Sequence, residues 1–269
     1  MLLCVIRALE LQNTYQMLEI ADLYHVYPGG VEALRSVSLH VKQGEIVAVV
    51  GRSGCGKSTL LRIAAGLQAP ARGTVMIAGT PVHRPRQDVS FMFQDAALLP
   101  WRNVHANVAL PLELQHRTNA HAVDHMLDLV GLHEFAHALP SQISGGMAQR
   151  CALARALVLE PSLLLLDEPF GALDAFTRES LTQSVFDICR AAGTTVLLVT
   201  HSIPEAVFLA DRVVVLTPRP GRVAAEISVD LPAKRTWDLV QDPAFTALVG
   251  KIRERLRADD GSPSQSIVR

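Results

Sequence analysis

The order of apolar runs along the chain predicts an α/β fold built on a parallel sheet. Strand-like runs alternate with helical stretches, which requires crossovers that cover both sheet faces. The run "EIVAVV" (45–50) leads straight into a glycine-rich loop and then the helical "STLLRIAAGL". Two later runs, "SLLLLD" (162–167) and "TTVLLVTH" (194–201), are apolar nearly throughout, as strands buried on both faces are.

The elements follow in order. Patterned sequence begins after Met17 with "LEIADLYHVY"; residues 1–16, with their short apolar run "LLCVI", read as a loose extension or a misassigned start. In "VSLHV", Val37, Leu39 and Val41 alternate with Ser38 and His40, which is strand period. "GTVMIAGTPV" (73–82) reads as a strand and turn. From about 104 to 160 the pattern turns helical, through "AHAVDHMLDLVGL" and "GGMAQRCALARALVLEP", the latter stopped by Pro161. "AFTRESLTQSVFDICRAAG" fills the gap between the two apolar strands, and "PRPG" (218–221) turns between late strands. Residues 231–269 read as a mixed tail whose polar end, "DDGSPSQSIVR", is expected to be disordered.

Composition narrows the class. The 269 residues are 49% hydrophobic and 19% charged, too apolar for a disordered chain. A net charge of −1 gives no basic excess for nucleic acid. Cys4, Cys55, Cys151 and Cys189 show no CxxC spacing and read as reduced thiols of a cytosolic protein. No stretch approaches the ~18 apolar residues of a membrane span, and the start lacks the features of a secretory signal.

The segment "GRSGCGKST" (51–59) fits the G-x-x-x-x-G-K-[ST] pattern and lies between a strand and a helix, the context that pattern requires. Gly51, Arg52, Ser53, Gly54, Cys55 and Gly56 supply a backbone that wraps phosphate, with Thr59 in the first helical turn. Lys57 is expected to reach the β and γ phosphates, and the Ser58 hydroxyl to bind Mg²⁺. Binding of a nucleoside triphosphate follows. "LLLLDEP" (163–169) then places two acids at the end of a buried strand. Asp167 is assigned to Mg²⁺ through a water, and Glu168, beyond the strand end, to general-base work on the hydrolytic water. His201 closes the next strand, where it is either structural or a donor to the γ-phosphate. A second anion-suited helix start, "ISGGMAQR" (143–150), is not explained by the first.

Together these residues resemble the ATP-binding subunits of ABC transporters, over about 17 to 260. The resemblance implies an α/β P-loop NTPase core over 17–230, with an N-terminal antiparallel β subdomain and a helical subdomain inserted at about 95–160, followed by an extension over 231–269. It makes "ISGGMAQR" the family signature, in which Ser144, Gly145, Gly146, Met147 and Gln149 would contact ATP held by another subunit. It makes Gln94 of "FMFQD" a Mg²⁺ contact that senses the transmembrane partner, and Asp174 of "GALD" part of a loop crossing to that other subunit. Tyr27 of "VYPGG" becomes the aromatic that stacks on adenine, with Tyr24 as the alternative, and His201 the switch histidine. The implied partners are a second ATPase subunit, transmembrane permease subunits and, indirectly, a periplasmic solute-binding protein, with no nucleic acid. The implied place is peripheral, on the cytoplasmic face of the inner membrane. "QDAALLPWRNV", "EPFGALDAFTR" and "PRPGRV" narrow the resemblance to importers of nitrate, taurine and aliphatic sulfonates, and are expected on the permease face or just after the acids.

Two other readings compete. "HEFAH" (133–137) matches the H-E-x-x-H zinc-protease pattern, but Gly131 and Pro140 leave little room for the helix that pattern needs. An ABC ATPase of repair or translation would be expected to carry two cassettes, a coiled coil or a basic surface.

Overall fold

The computed structural model describes residues 16–258. Two sheets share one body. The first is antiparallel, in the order β2-β1-β4-β5, from β1 (Gln16–Tyr27), β2 (Val31–Lys42), β4 (Arg72–Ile77) and β5 (Thr80–Pro81). The second runs β10-β9-β3-β8-β7-β6, from β3 (Ile46–Val50), β6 (Val89–Met92), β7 (Leu163–Asp167), β8 (Thr195–Thr200), β9 (Arg212–Leu216) and β10 (Val223–Ser228). It is parallel except where β10 joins β9.

The apolar strands explain why this second sheet lies at the centre. Alternate side chains of a strand leave on opposite faces. Ala48, Val50, Leu164, Leu166, Val196 and Leu198 enter one core. Their neighbours Val47, Val49, Leu163, Leu165, Leu197 and Val199 enter another. Helix α1 (Lys57–Ala64) and the antiparallel sheet cover the second core. Four further helices supply buried residues to the first core: α4 (Gly145–Leu157), α5 (Ala175–Ala192), α6 (Ile203–Leu209) and α7 (Pro243–Ala258). Helices α2 (Val104–Leu114) and α3 (Ala120–Leu129) pack with α4 as the helical insertion. Among the described residues, no helix is long and apolar enough to cross a membrane.

The tail contains a helix, α7, that its mixed sequence does not announce. Phe245, Val249 and Ile252 of α7 are spaced as one helical stripe and are buried in the main core. The buried Arg235 locks the approach to α7 by donating to the carbonyls of Phe208 (2.6 Å) and Ala210 (2.9 Å). Burial lowers its pKa to about 10. Phe245 is 1% exposed. Its replacement by Ala is expected to cost about 3–5 kcal/mol through lost transfer energy and a residual cavity. A thermal melt should show Tm falling by on the order of 10 °C. The stretches 1–15 and 259–269, which include Cys4, "LLCVI" and the whole polar end "DDGSPSQSIVR", lie outside the described residues.

Candidate functional site

Two strand ends and one helix start converge on a cavity of about 290 Å³. Its walls include Tyr27, Val31, Ala33, Ser53, Gly54, Gly56, Lys57, Ser58, Thr59, Gln94, Glu168 and Arg219. Parallel alignment produces this convergence, because β3 and β7 end at the same edge of the sheet.

The helix start is shaped for an anion. Gly56 precedes α1 in the left-handed region (φ 104°), and no side chain caps the helix. Its first N–H groups are therefore free to meet a ligand. A Cβ on Gly56 would lie 2.7 Å from the Ala33 carbonyl oxygen and from Leu34 Cδ2, so no other residue fits without displacement. Lys57 is buried, and its Nζ donates to the carbonyls of Gly51 (2.8 Å) and Arg52 (3.1 Å). Those bonds hold the ammonium at the cavity wall. Gly51, Arg52 and Cys55 do not line the cavity themselves. Cys55 is turned into the core, where burial raises its thiol pKa. Its contribution is backbone shape alone.

The acids sit opposite. Asp167 is 1% exposed and accepts from Ser58 Oγ at 2.9 Å. Burial raises its pKa, with the Ser58 hydrogen bond opposing that shift and the Glu168 charge adding to it. A desolvated carboxylate beside a hydroxyl is an incomplete pair that a hard cation would complete. Gln94 lines the same cavity, and with its amide oxygen the donor set would be all oxygen, which fits Mg²⁺. Glu168 follows in the left-handed region at φ 49°, a conformation that costs a non-glycine residue energy. Hydrogen bonds from Glu168 N to Val199 O (2.9 Å) and from Gly171 N to Glu168 O (3.2 Å) hold it there. His201 Nδ1 lies 3.1 Å from Glu168 Oε2. An ionised carboxylate only accepts, so Nδ1 is the donor in that pair.

The remaining predicted residues separate into those that reach this cavity and those that do not. Tyr27 lines it, with its hydroxyl 2.9 Å from Thr59 Oγ1 and the His25 ring edge-on at 5.0 Å. Tyr24 does not; Arg72 lies over its ring instead. Ser144 caps α4 by accepting from Met147 N (3.2 Å) and is exposed together with Gly145. Neither they nor Gly146 line the cavity of their own chain. Gly146 packs beside Leu173 and the Ala172 carbonyl of the "GALD" loop. Asp174 caps α5, and the Thr177 amide it accepts from lowers its pKa.

Two placements could not be read from the sequence. Gln149 of the signature stretch turns its side chain away from the exposed helix start. It is buried, and its Nε2 donates to the Gln94 carbonyl (3.3 Å) of the same chain, because its position on α4 faces inward. Met147 likewise packs on the core. The "PRPGRV" segment, expected on the permease face or just after the acids, carries Arg219 to the same cavity as Glu168. Sequence reasoning missed this residue because the contact joins parts of the chain almost two hundred positions apart. In "HEFAH", a single 3₁₀ turn spans His133–Phe135, and His133 pairs with Asp128 at 2.8 Å.

The family model described as ABC transporter matches residues 34–171. The chain is 41% identical over 262 residues to the nitrate import ATP-binding protein NrtD of Synechocystis sp., covering 93% of this chain and 98% of that protein. It is 47% identical over 237 residues to the aliphatic sulfonates import ATP-binding protein SsuB of Pseudomonas entomophila, covering 88% and 85%. The dimeric ATP-binding cassette MJ0796, in a post-hydrolysis state bound to ADP and Pi, superposes with a TM-score of 0.74 at 32% identity, over 80% of this chain and 100% of that one.

Proposed function

The chain belongs to the ABC transporter family, and from that premise we propose that it is the ATP-hydrolysing subunit of an importer for a small oxyanion. One observation carries the reading. A single cavity is lined by the phosphate loop with Lys57 and Ser58, by Gln94, Glu168 and Tyr27, and Asp167 and His201, which do not line it, are hydrogen-bonded to its Ser58 and Glu168.

Each side chain then has a role. Tyr27 offers a ring face to adenine. The α1 N-terminus and Lys57 hold the phosphates. Ser58, Gln94 and Asp167 would hold Mg²⁺, which when bound neutralises charge on the β and γ phosphates. Glu168 accepts the proton of the attacking water. His201 fixes the Glu168 carboxylate and presents the rest of its ring toward the γ-phosphate. Water attack and proton loss to Glu168 leave ADP and inorganic phosphate, with no covalent intermediate.

The exposed start of α4 completes the arrangement in a pair of chains. Ser144, Gly145 and Gly146 of one copy would close over the γ-phosphate held by Lys57 of the other, adding donors where charge develops. Asp174, the residue after Leu173, which packs beside Gly146, would lie on that same junction. Closure then depends on the γ-phosphate, so hydrolysis opens the pair and moves a permease. The subunit would be peripheral on the cytoplasmic face of the membrane, served by permease subunits and a periplasmic binding protein.

An aliphatic sulfonate or taurine is the favoured solute, with nitrate as the alternative. Selectivity would reside in the partner chains. A strain deleted for this gene is expected to lose uptake of taurine or alkanesulfonates and regain it on complementation. Unchanged uptake of these and of nitrate would overturn the proposed solute class.

A further inference from the structure

The turn between β9 and β10 approaches the phosphate loop more closely than its sequence suggests. Gly221 N donates to Ala33 O and Arg35 N to Gly221 O, each at 2.9 Å, which staples the turn to β2. A Cβ on Gly221 would lie 2.2 Å from the Cys55 carbonyl oxygen. Only glycine allows the turn to sit against the phosphate loop in this way. Inside the turn, Thr217 Oγ1 donates to Pro220 O (3.1 Å) and accepts from Arg222 N (3.0 Å). The backbone carrying Arg219 is thus held from both sides.

The Arg219 side chain is not used by this bracing. It is exposed, and among the described residues it makes no ion pair or hydrogen bond. It nevertheless lines the same cavity as Tyr27, Val31 and Ala33, and Gly221, two residues further on, is bonded to Ala33. The β1–β2 register pairs Tyr27 with Val31, so these residues form one continuous wall. Lys57, Ser58, Gln94 and Glu168, the side chains assigned to phosphate, metal and water, line the cavity as well. A guanidinium is planar, weakly hydrated and stacks on aromatic faces. The adenine that Tyr27 is placed to receive offers such a face.

We propose that Arg219 is a nucleotide-binding residue, its guanidinium packing on the adenine base in the cavity that Tyr27 walls. This rests on the reading of the cavity as an ATP site. It adds a second, cationic contact for the base, supplied by a segment 192 positions after Tyr27 in the chain. The contact is to the base and not to the γ-phosphate, so it is made to ATP and ADP alike. Arg219 therefore contributes to holding the nucleotide both before and after hydrolysis.

Calorimetric titration of wild type and Arg219→Ala with ATP, ADP and inorganic tripolyphosphate tests this. The variant is expected to bind ATP and ADP each about 3- to 10-fold more weakly, with tripolyphosphate affinity unchanged. Because the braces are backbone and Thr217 contacts, its Tm should match wild type. Equal affinity of both proteins for ATP overturns the inference while leaving the ATP site standing. A matching loss for tripolyphosphate, or a loss for ATP alone, overturns it as well, by assigning Arg219 to the phosphates. Failure of the wild type to bind ATP overturns both readings.

Discussion

Replacing Glu168 by Gln is expected to slow ATP hydrolysis at least ~10²-fold, the lower bound for losing a positioned general base. ATP binding should survive. The amide keeps the shape of the carboxylate, and nothing in the phosphate loop changes. Glu168 is held by backbone bonds at Val199 and Gly171, so the substitution does not depend on the side chain to preserve the strained φ. His201 would still find an oxygen acceptor at the former Oε2 position. Only the proton acceptor is lost. Single-turnover hydrolysis and equilibrium ATP binding, measured on the same preparation, separate the two effects. Hydrolysis at the normal rate would remove Glu168 from the role of base.

Lys57→Ala should act at the earlier step. It deletes the ammonium that the carbonyls of Gly51 and Arg52 aim at the cavity. Hydrogen bonds to charged groups are worth about 1.5–3 kcal/mol, so ATP affinity should fall roughly 10- to 100-fold. Equilibrium binding checks this directly. Affinity within twofold of wild type would show that the loop backbone alone holds the phosphates.

The site was legible where its residues are close in sequence or close a strand. "GRSGCGKST" is a local motif, and the parallel sheet carries "DEP" to it because neighbouring strands end at one edge. The α/β architecture was legible for the same reason: fully apolar strands have no solvent face to offer. Residues whose role depends on distant packing were not legible. Gln149 sits in the signature stretch, but its helical position turns it toward Gln94. Arg219 reaches the cavity only because Gly221 docks on Cys55. Phe245, Val249 and Ile252 form a buried stripe too sparse to stand out from the polar residues around them. Arg178 illustrates the limit. It donates to the Leu173 carbonyl at 2.7 Å and lies 3.6 Å from the buried Glu205, bracing the "GALD" loop against the helix after His201. Nothing local to either residue announces that contact.

The central claim is that each ATP is hydrolysed between two copies of the chain, with Lys57 from one and the Ser144–Gly146 helix start from the other. Mixing Lys57→Ala chains with Ser144→Arg chains tests it. Each mixed pair would contain one site damaged on both sides and one with both halves intact. The shared-site account predicts that each variant alone is nearly inactive and that ATPase activity returns on mixing, toward the level seen when wild type is mixed with Lys57→Ala. Normal activity in Ser144→Arg alone, or no recovery on mixing while the wild-type mixture is active, would contradict it.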